Sequence, residues 1–202
     1  MPAPDSKIPT LSGWLAGVVQ LRSPNCGLRP HGARIDTVIV HSISLPPGEY
    51  GGEQVPALFM NRLDWNAHPY FQEIRGLEVS SHFFIRRTGD IWQFVSCEER
   101  AWHAGVSSWA GRDNCNDYSI GIELEGLEGS AFDPVQYTQL AALLNRLRET
   151  YPIEQVLGHE HVAPGRKFDP GPGFDWLQLQ KTVAWPLQCF PVLSILKISA
   201  NA

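Results

Sequence analysis

The sequence has no cluster of basic residues and contains few charged residues of either sign. Only 18% of its 202 residues are charged, and 16 Lys and Arg against 21 Asp and Glu give a formal net charge of −5. Nucleic acids and anionic membranes are bound through clustered Lys and Arg, so neither is expected as a partner. The hydrophobic fraction of 43% is typical of a globular protein and argues against extensive disorder.

Long apolar runs, export signals and repeats are also missing. The run at 191–198 is far too short to span a bilayer. The apolar segment 8–21 lacks an A-x-A cleavage site and is preceded by Asp5, so we interpret it as part of the mature structure. No linker divides the sequence, and its length is close to that of one typical domain. We therefore predict a single domain over residues 1–202, with its core at about 14–185 and short terminal extensions.

Cysteine is sparse, and the four cysteines form no C-x-x-C pair. They stand far apart, at Cys26, Cys97, Cys115 and Cys189. This spacing indicates reduced, mostly buried thiols in a cytoplasmic protein. A disulfide-containing extracellular protein is the alternative that the spacing leaves open.

The hydrophobic pattern predicts strands mixed with helices. We predict strands at 35–43, 82–87, 91–95, 118–125 and 153–157, and helices at 134–150 and 174–184. Asp133 is suited to cap the helix that begins at Pro134. The Gly- and Pro-rich segment 44–56 is predicted to be a loop, of a length often found in lids. Because strands and helices do not alternate strictly, we expect an α/β (α+β) fold with a mixed central β-sheet flanked by helices.

Several histidines and one aspartate suggest a metal site. His41 lies near the end of the buried strand 35–43, and His159, His161 and Asp169 lie in a Gly- and Pro-rich segment. A catalytic zinc site has three imidazole, thiolate or carboxylate ligands and one open position. Two ligand sets fit the spacing: the local pair His159 and His161, or His159 with Asp169 and a distant histidine. The residues alone leave both sets open.

Two further patterns have both a functional and a structural interpretation. Glu123 and Glu125 lie on one face of a predicted strand, about 6.6–6.8 Å apart from the strand rise. This is near the separation of about 6.5–9.5 Å in inverting glycosidases, which suggests a glycosidase. A solvated strand face is the alternative, particularly for Glu125. The segment W-H-A-G at 102–105 could line a sugar or peptide cleft, or could be simply core and turn.

Together these segments resemble the type-2 N-acetylmuramoyl-L-alanine amidases, and specifically the cytosolic members that act on anhydromuropeptides. The resemblance covers nearly all of residues 14–180, in family order and at family spacing. It rests on VIVHSISLPPGEYGG (38–52), HPYF (68–71), RAWHAGVSS (100–108), CNDYSIGIELEG (115–126) and GHEHVAPGRKFDPGPGFDW (158–176). It implies the fold that these amidases share with peptidoglycan recognition proteins.

The resemblance also implies roles for individual residues. The zinc ligands would be His41, His159 and Asp169, and His161 would not be a ligand. Glu123 matches the catalytic glutamate. Lys167 matches the catalytic lysine and is the one lysine between residues 8 and 180. Positions expected to contact substrate are Ser42, Trp102, His103, Ala104 and Asn114. Of these, Ser42 stands where Asn is common in the family, and Asn114 where some members carry Arg.

The activity implied by the resemblance is zinc-dependent hydrolysis of the amide between (1,6-anhydro-)N-acetylmuramic acid and L-alanine during cell-wall recycling. The partner would be a small soluble muropeptide, with one Zn²⁺ per chain and no obligate protein partner. The alternative is a non-catalytic peptidoglycan-fragment binding module on the same fold. Such modules characteristically lose a zinc ligand, whereas this sequence keeps all three candidates.

Overall fold

The computed structural model describes residues 12–190 and Leu193. In this range the chain forms strands β1 Val19–Gln20, β2 Cys26–Leu28, β3 Thr37–Ile43, β4 Phe83–Ile85, β5 Ile91–Gln93, β6 Glu99–Ala101, β7 Ser108–Trp109, β8 Arg112–Asp113, β9 Ser119–Glu125 and β10 Gln155–Gly158. The helices are α1 Gln54–Phe59, α2 Pro69–Glu73, α3 Pro134–Thr150, α4 His159–Val162 and α5 Trp176–Val183. Residues 8–11 of the N-terminal apolar segment, and the run 191–198 apart from Leu193, lie outside the described residues.

Six strands form the central sheet, in the order β1-β5-β4-β9-β3-β10. The pairs β1/β5, β4/β9, β9/β3 and β3/β10 are parallel, whereas β4 and β5 form an antiparallel hairpin. Parallel strands covered on both faces typically have nearly continuous apolar sequence, and β3 has it from Val38 to Val40. In β9 apolar residues instead alternate with Gly121, Glu123 and Glu125. Their register places His41 directly opposite Glu123. The predicted mixed sheet is therefore confirmed, and its two central strands carry candidate site residues.

The long helix α3 forms as its sequence pattern predicts. The backbone N–H of Asp133 donates to Oε1 of Gln136 at 3.0 Å, which closes the first turn. The apolar residues of the helix form one buried stripe, namely Tyr137, Leu140, Ala141, Leu144 and Leu147. Helix α5 packs against α3 and begins at Trp176 rather than 174, because the Asp175 side chain accepts a hydrogen bond from the Gln178 N–H at 2.8 Å.

The solvated-face interpretation of Glu125 is wrong. Every residue of β9 is buried, because β4 and β3 flank it in the sheet and other parts of the chain cover both faces. The Glu125 carboxylate accepts the Gly51 N–H at 2.6 Å and the Arg87 N–H at 3.0 Å. Glu125 therefore connects the 44–56 loop with the turn between β4 and β5.

The predicted loop extends over most of its expected length. Residues 44–53 are irregular, and α1 begins within the predicted segment at Gln54. Besides the Glu125 contact, the Arg86 guanidinium donates to the Gly52 carbonyl at 3.0 Å.

The four cysteines all fall in the described range and are free. Cys97, Cys115 and Cys189 are buried, as predicted, and Cys26 is half-buried. A search of the described residues for a helix with the length and apolar character needed to cross a bilayer finds none.

Candidate active site

The C-terminal ends of neighbouring parallel strands bring the candidate residues together. His41 lies on β3, Glu123 lies opposite it on β9, and His159 follows directly after β10 on the other side of β3. Asp169 lies beyond α4, and its carbonyl accepts the Glu160 N–H at 2.9 Å, which returns the chain to the same edge. The carboxyl ends of parallel strands are the usual place for a site in such sheets.

Three side chains form a candidate metal site. The Nδ1 atoms of His41 and His159 lie 3.0 Å apart, and Oδ2 of Asp169 lies 3.1 Å from the first and 3.2 Å from the second. A metal ion could be held by these three residues. His161 has a different role, because its Nδ1 accepts the Gly158 N–H at 2.8 Å and stabilises the turn that precedes His159. The geometry thus favours the distant ligand set over the local pair.

The chemistry of these donors fits a divalent cation. Burial, and then the neighbouring His159, lower the pKa of His41 to about 4, so its imidazole is neutral at neutral pH. Burial alone would raise the pKa of Asp169, but the adjacent imidazoles of His159 and His41 outweigh it and hold the pKa below its ordinary value. Two imidazole groups and an ionised carboxylate therefore converge on one point, and zinc binds such a combination.

Glu123 is a buried carboxyl with an unsatisfied oxygen. It is 8% exposed, and its Oε2 has no hydrogen-bond partner among the described residues. Burial and the nearby Asp169 raise the pKa of Glu123 well above its usual value, while Lys167 acts in the opposite direction. A carboxyl of raised pKa beside a candidate metal site is suited to proton transfer.

One cavity connects these groups. Its volume is about 470 Å³, within the range of about 300–1,000 Å³ usual for small-molecule sites. Its polar lining residues include His41, Ser42, Glu123, His159, Lys167 and Asp169. Its apolar lining residues include Leu45, Leu58, Phe59, Ile74 and Leu77. Glu125 does not line this cavity, so the carboxylate pair of the glycosidase interpretation does not face a common space in the described structure.

The residues predicted to contact substrate do not all line the same cavity. Ser42 and His103 line the cavity that holds the candidate metal site. Trp102 and Asn114 line a second cavity of about 840 Å³. The Ala104 carbonyl accepts a hydrogen bond from the outer nitrogen of His159 at 3.1 Å. Their substrate contacts stay predictions.

Two residues that the sequence did not single out hold the 102–105 segment in place. The Asn116 side-chain oxygen accepts the N–H groups of His103 and Ala104 at 3.2 and 2.8 Å. The Arg166 guanidinium donates to the carbonyls of Ala104 and Val106 at 2.7 and 2.6 Å. Apart from the position of Arg166 beside Lys167, nothing in the sequence pattern indicates these contacts, because they join segments distant along the chain.

A family model described as N-acetylmuramoyl-L-alanine amidase matches residues 31–172. The chain therefore belongs to the N-acetylmuramoyl-L-alanine amidase family. Over 173 residues it is 51% identical to the 1,6-anhydro-N-acetylmuramyl-L-alanine amidase AmpD of Citrobacter freundii, an alignment that covers 85% of this chain and 92% of that relative. The enzyme family implied by the sequence motifs is thus confirmed.

Solved structures agree with this assignment. A crystal structure of a selenomethionine derivative of AmpD matches with a TM-score of 0.83 and 51% identity, covering 85% of this chain and 97% of that one. The amidase AmiD from E. coli, solved with anhydro-N-acetylmuramic acid-L-Ala-D-γ-Glu-L-Lys, matches at a TM-score of 0.53 and 30% identity, over 76% of this chain and 60% of that one. A peptidoglycan recognition protein, 16% identical over 87% of this chain and 96% of its own, matches at a TM-score of 0.56 and shows the shared fold alone. The predicted fold class is confirmed.

Proposed function

We propose that the protein is a zinc-dependent amidase that hydrolyses the bond between 1,6-anhydro-N-acetylmuramic acid and L-alanine in small muropeptides. The observation that carries this proposal is the convergence of the His41–His159–Asp169 triad with Glu123 in one cavity. The extensive identity to the AmpD relative supports the choice of substrate. The proposal of one zinc ion per chain is supported by the single triad found among the described residues.

The proposed zinc ion would be held by His41, His159 and Asp169. Zinc supplies Lewis acidity, which makes water more acidic and polarises a carbonyl group. The charges of two neutral imidazoles, one carboxylate and Zn²⁺ sum to +1, and ionised Glu123 would bring the site to zero. The site is thus suited to hold a neutral amide until charge develops on it.

Glu123 moves the proton in the proposed reaction. Its ionised carboxylate accepts a proton from the attacking water as the new C–O bond forms on the lactyl carbonyl. It then delivers this proton to the nitrogen of L-alanine as the C–N bond breaks. A raised pKa favours both halves of this cycle near neutral pH, since one group has to accept and then release the same proton.

Lys167 stabilises the negative charge that develops on the carbonyl oxygen. Its side chain is exposed to the cavity that also contains Glu123 and the triad. An ammonium group needs no proton transfer to stabilise an oxyanion, and donors placed in this way act more strongly in the transition state than in the ground state.

The proposed substrate is a soluble fragment in the cytoplasm, in keeping with a role in cell-wall recycling. The formal net charge of −5 and the lack of a basic cluster give the chain little attraction for an anionic polymer. Free, mostly buried thiols are typical of a reducing compartment.

The proposed substrate specificity is tested by comparing hydrolysis of three substrates. We expect kcat/KM for release of L-alanine-headed peptide to be far higher for the 1,6-anhydromuramyl peptide than for its reducing-end counterpart. The bicyclic ring has less conformational freedom to lose on binding. Intact sacculi serve as the third substrate. Equal kcat/KM values for the two soluble peptides, or efficient digestion of sacculi, would contradict the proposed substrate.

A further inference from the structure

The outer nitrogens of both candidate histidine ligands face the same short segment. His41 Nε2 lies 3.0 Å from Nδ1 of His103, and His159 Nε2 lies 3.1 Å from the carbonyl of Ala104. We propose that His103 and Ala104 are positioning residues that fix the tautomer and orientation of both histidines, so that each presents an unprotonated Nδ1 to the metal. This inference rests on the proposed zinc site and assigns to the segment a role other than substrate contact.

The direction of the hydrogen bonds is set at Cys115. Its backbone carbonyl can only accept, so the Ser119 hydroxyl, 2.6 Å away, donates to it. The Ser119 oxygen is then free to accept from Nε2 of His103, which lies 3.2 Å away. His103 is buried, and a neutral imidazole carries one N–H. Its hydrogen is therefore on Nε2, and its Nδ1 is an acceptor.

This direction passes on to His41. Because Nδ1 of His103 accepts, Nε2 of His41 has to be the donor in the 3.0 Å contact between them. The single hydrogen of neutral His41 is then on Nε2, which leaves a lone pair on Nδ1. That Nδ1 is the atom that faces His159 and Asp169. A chain of three hydrogen bonds thus prepares His41 to bind a cation.

His159 is oriented by a simpler contact with the same result. The Ala104 carbonyl accepts only, so Nε2 of His159 donates and its Nδ1 carries the lone pair. The position of this carbonyl is itself fixed. Arg166 donates to it at 2.7 Å, and the N–H of Ala104 donates to Asn116 at 2.8 Å. Hydrogen bonds behind the ligands commonly set the tautomer and basicity of metal-binding histidines.

Strand β9 leaves space for the His103 ring. A Cβ atom added at Gly121 would lie 2.5 Å from Cγ of His103 and 2.7 Å from its Nδ1. The ring therefore lies in the gap that this glycine provides, two residues from Glu123 on the same strand. Shape and hydrogen-bond direction independently indicate that the protein holds His103 in one orientation.

The test compares Ser119→Ala with a matched control, Ser81→Ala. Both serines are fully buried, but the Ser81 hydroxyl has no hydrogen-bond partner in the described structure. Zinc affinity is measured by competition with a chromogenic chelator. Long-range ¹H–¹⁵N spectra of the zinc-free wild type report which nitrogen of His41 carries the hydrogen. Circular dichroism checks that each variant is folded.

We expect the Nε2–H tautomer of His41 in the wild type. In Ser119→Ala, His103 has lost its acceptor, and zinc affinity falls by about 10- to 100-fold relative to the wild type and Ser81→Ala. An Nδ1–H tautomer of His41, or equal zinc affinity in the two variants, would overturn the inference. If Ser119→Ala does not fold, the wild-type tautomer decides. Failure of the proposed function is distinguishable, because the wild type itself would then not bind zinc or not cleave the amide.

Discussion

At the scale of single residues, the site depends on carboxyl groups in different surroundings. Asp169 is kept ionised by the two histidines that contact it, whereas burial raises the pKa of Glu123. The first is suited to bind a cation, and the second to exchange a proton. Two groups of the same chemistry thereby take different roles, and the protein sets the difference through their neighbours.

Replacement of Glu123 by Gln tests the proton-transfer role. The amide keeps the size of the side chain but cannot accept a proton, so kcat should fall by about 10²- to 10⁴-fold. Bound zinc, measured by elemental analysis, should stay at the wild-type level, because Glu123 is not part of the triad. Full activity in Glu123→Gln would contradict the assigned role.

The residue types indicated a metal site that includes His159, but they did not distinguish between the two possible ligand sets. His161 and Asp169 both follow His159 closely along the chain, so spacing does not distinguish them. The resemblance to the amidase family named Asp169, and the structure agrees, because the turn into α4 directs His161 toward the Gly158 N–H. Ser119 and Asn116 could not be predicted, since their partners depend on how distant segments pack.

At the scale of elements, the 44–56 loop is tied to the sheet through Glu125. This buried carboxylate satisfies two backbone N–H groups, from Gly51 in the loop and from Arg87 after β4. Glu123 and Glu125 stand on the same strand two residues apart, yet one faces the cavity and the other is used by the fold.

Replacement of Glu125 by Ala separates these roles. It removes two partly buried hydrogen bonds from the N–H groups of Gly51 and Arg87 to a charged acceptor, so the free energy of unfolding should fall by about 1–3 kcal/mol. Urea denaturation measures this loss. The kcat of Glu125→Ala should decrease less than that of Glu123→Gln, because the proton-transfer group remains. A larger decrease in kcat for Glu125→Ala would favour Glu125 as the general base.

Long helices and strands, in which the hydrophobic pattern repeats several times, could be predicted from the sequence, whereas short ones could not. The apolar stripe of α3 and the alternation along β9 extend over several repeats, so both were placed within about a residue of their bounds. Strands of two or three residues, such as β1 and β7, contain too few residues to show a period. The four-residue helix α4 lies in a Gly- and Pro-rich segment, whose composition does not indicate a helix.

At the scale of the whole molecule, several buried histidines make folding sensitive to acid. Burial, followed by the nearby Arg29, lowers the pKa of His82 to about 3 from its ordinary value of 6.5. Burial also lowers the pKa of His41 and of His161, each to about 4. All three are neutral in the folded protein and would gain protons on unfolding below pH 6.5.

The free energy of unfolding should therefore decrease as pH falls. Between pH 6.5 and about 3 these three histidines bind more protons in the unfolded state than in the folded state, so their titration favours unfolding in acid. The stabilisation is fully present above pH 6.5 and is lost as pH falls toward the folded pKa values. Urea denaturation over this range checks the slope, and His82→Gln should reduce it. Equal stability at pH 7 and pH 4 would contradict this prediction.

The central claim is that His41, His159 and Asp169 bind the one zinc ion on which amide hydrolysis depends. The most direct measurement is zinc content together with hydrolysis of the anhydromuramyl peptide, for the wild type, His159→Ala and His161→Ala. The account predicts one zinc per chain and activity in the wild type, loss of both in His159→Ala, and near-normal zinc in His161→Ala. Zinc retained in His159→Ala but lost in His161→Ala, or full hydrolysis without zinc, would contradict it.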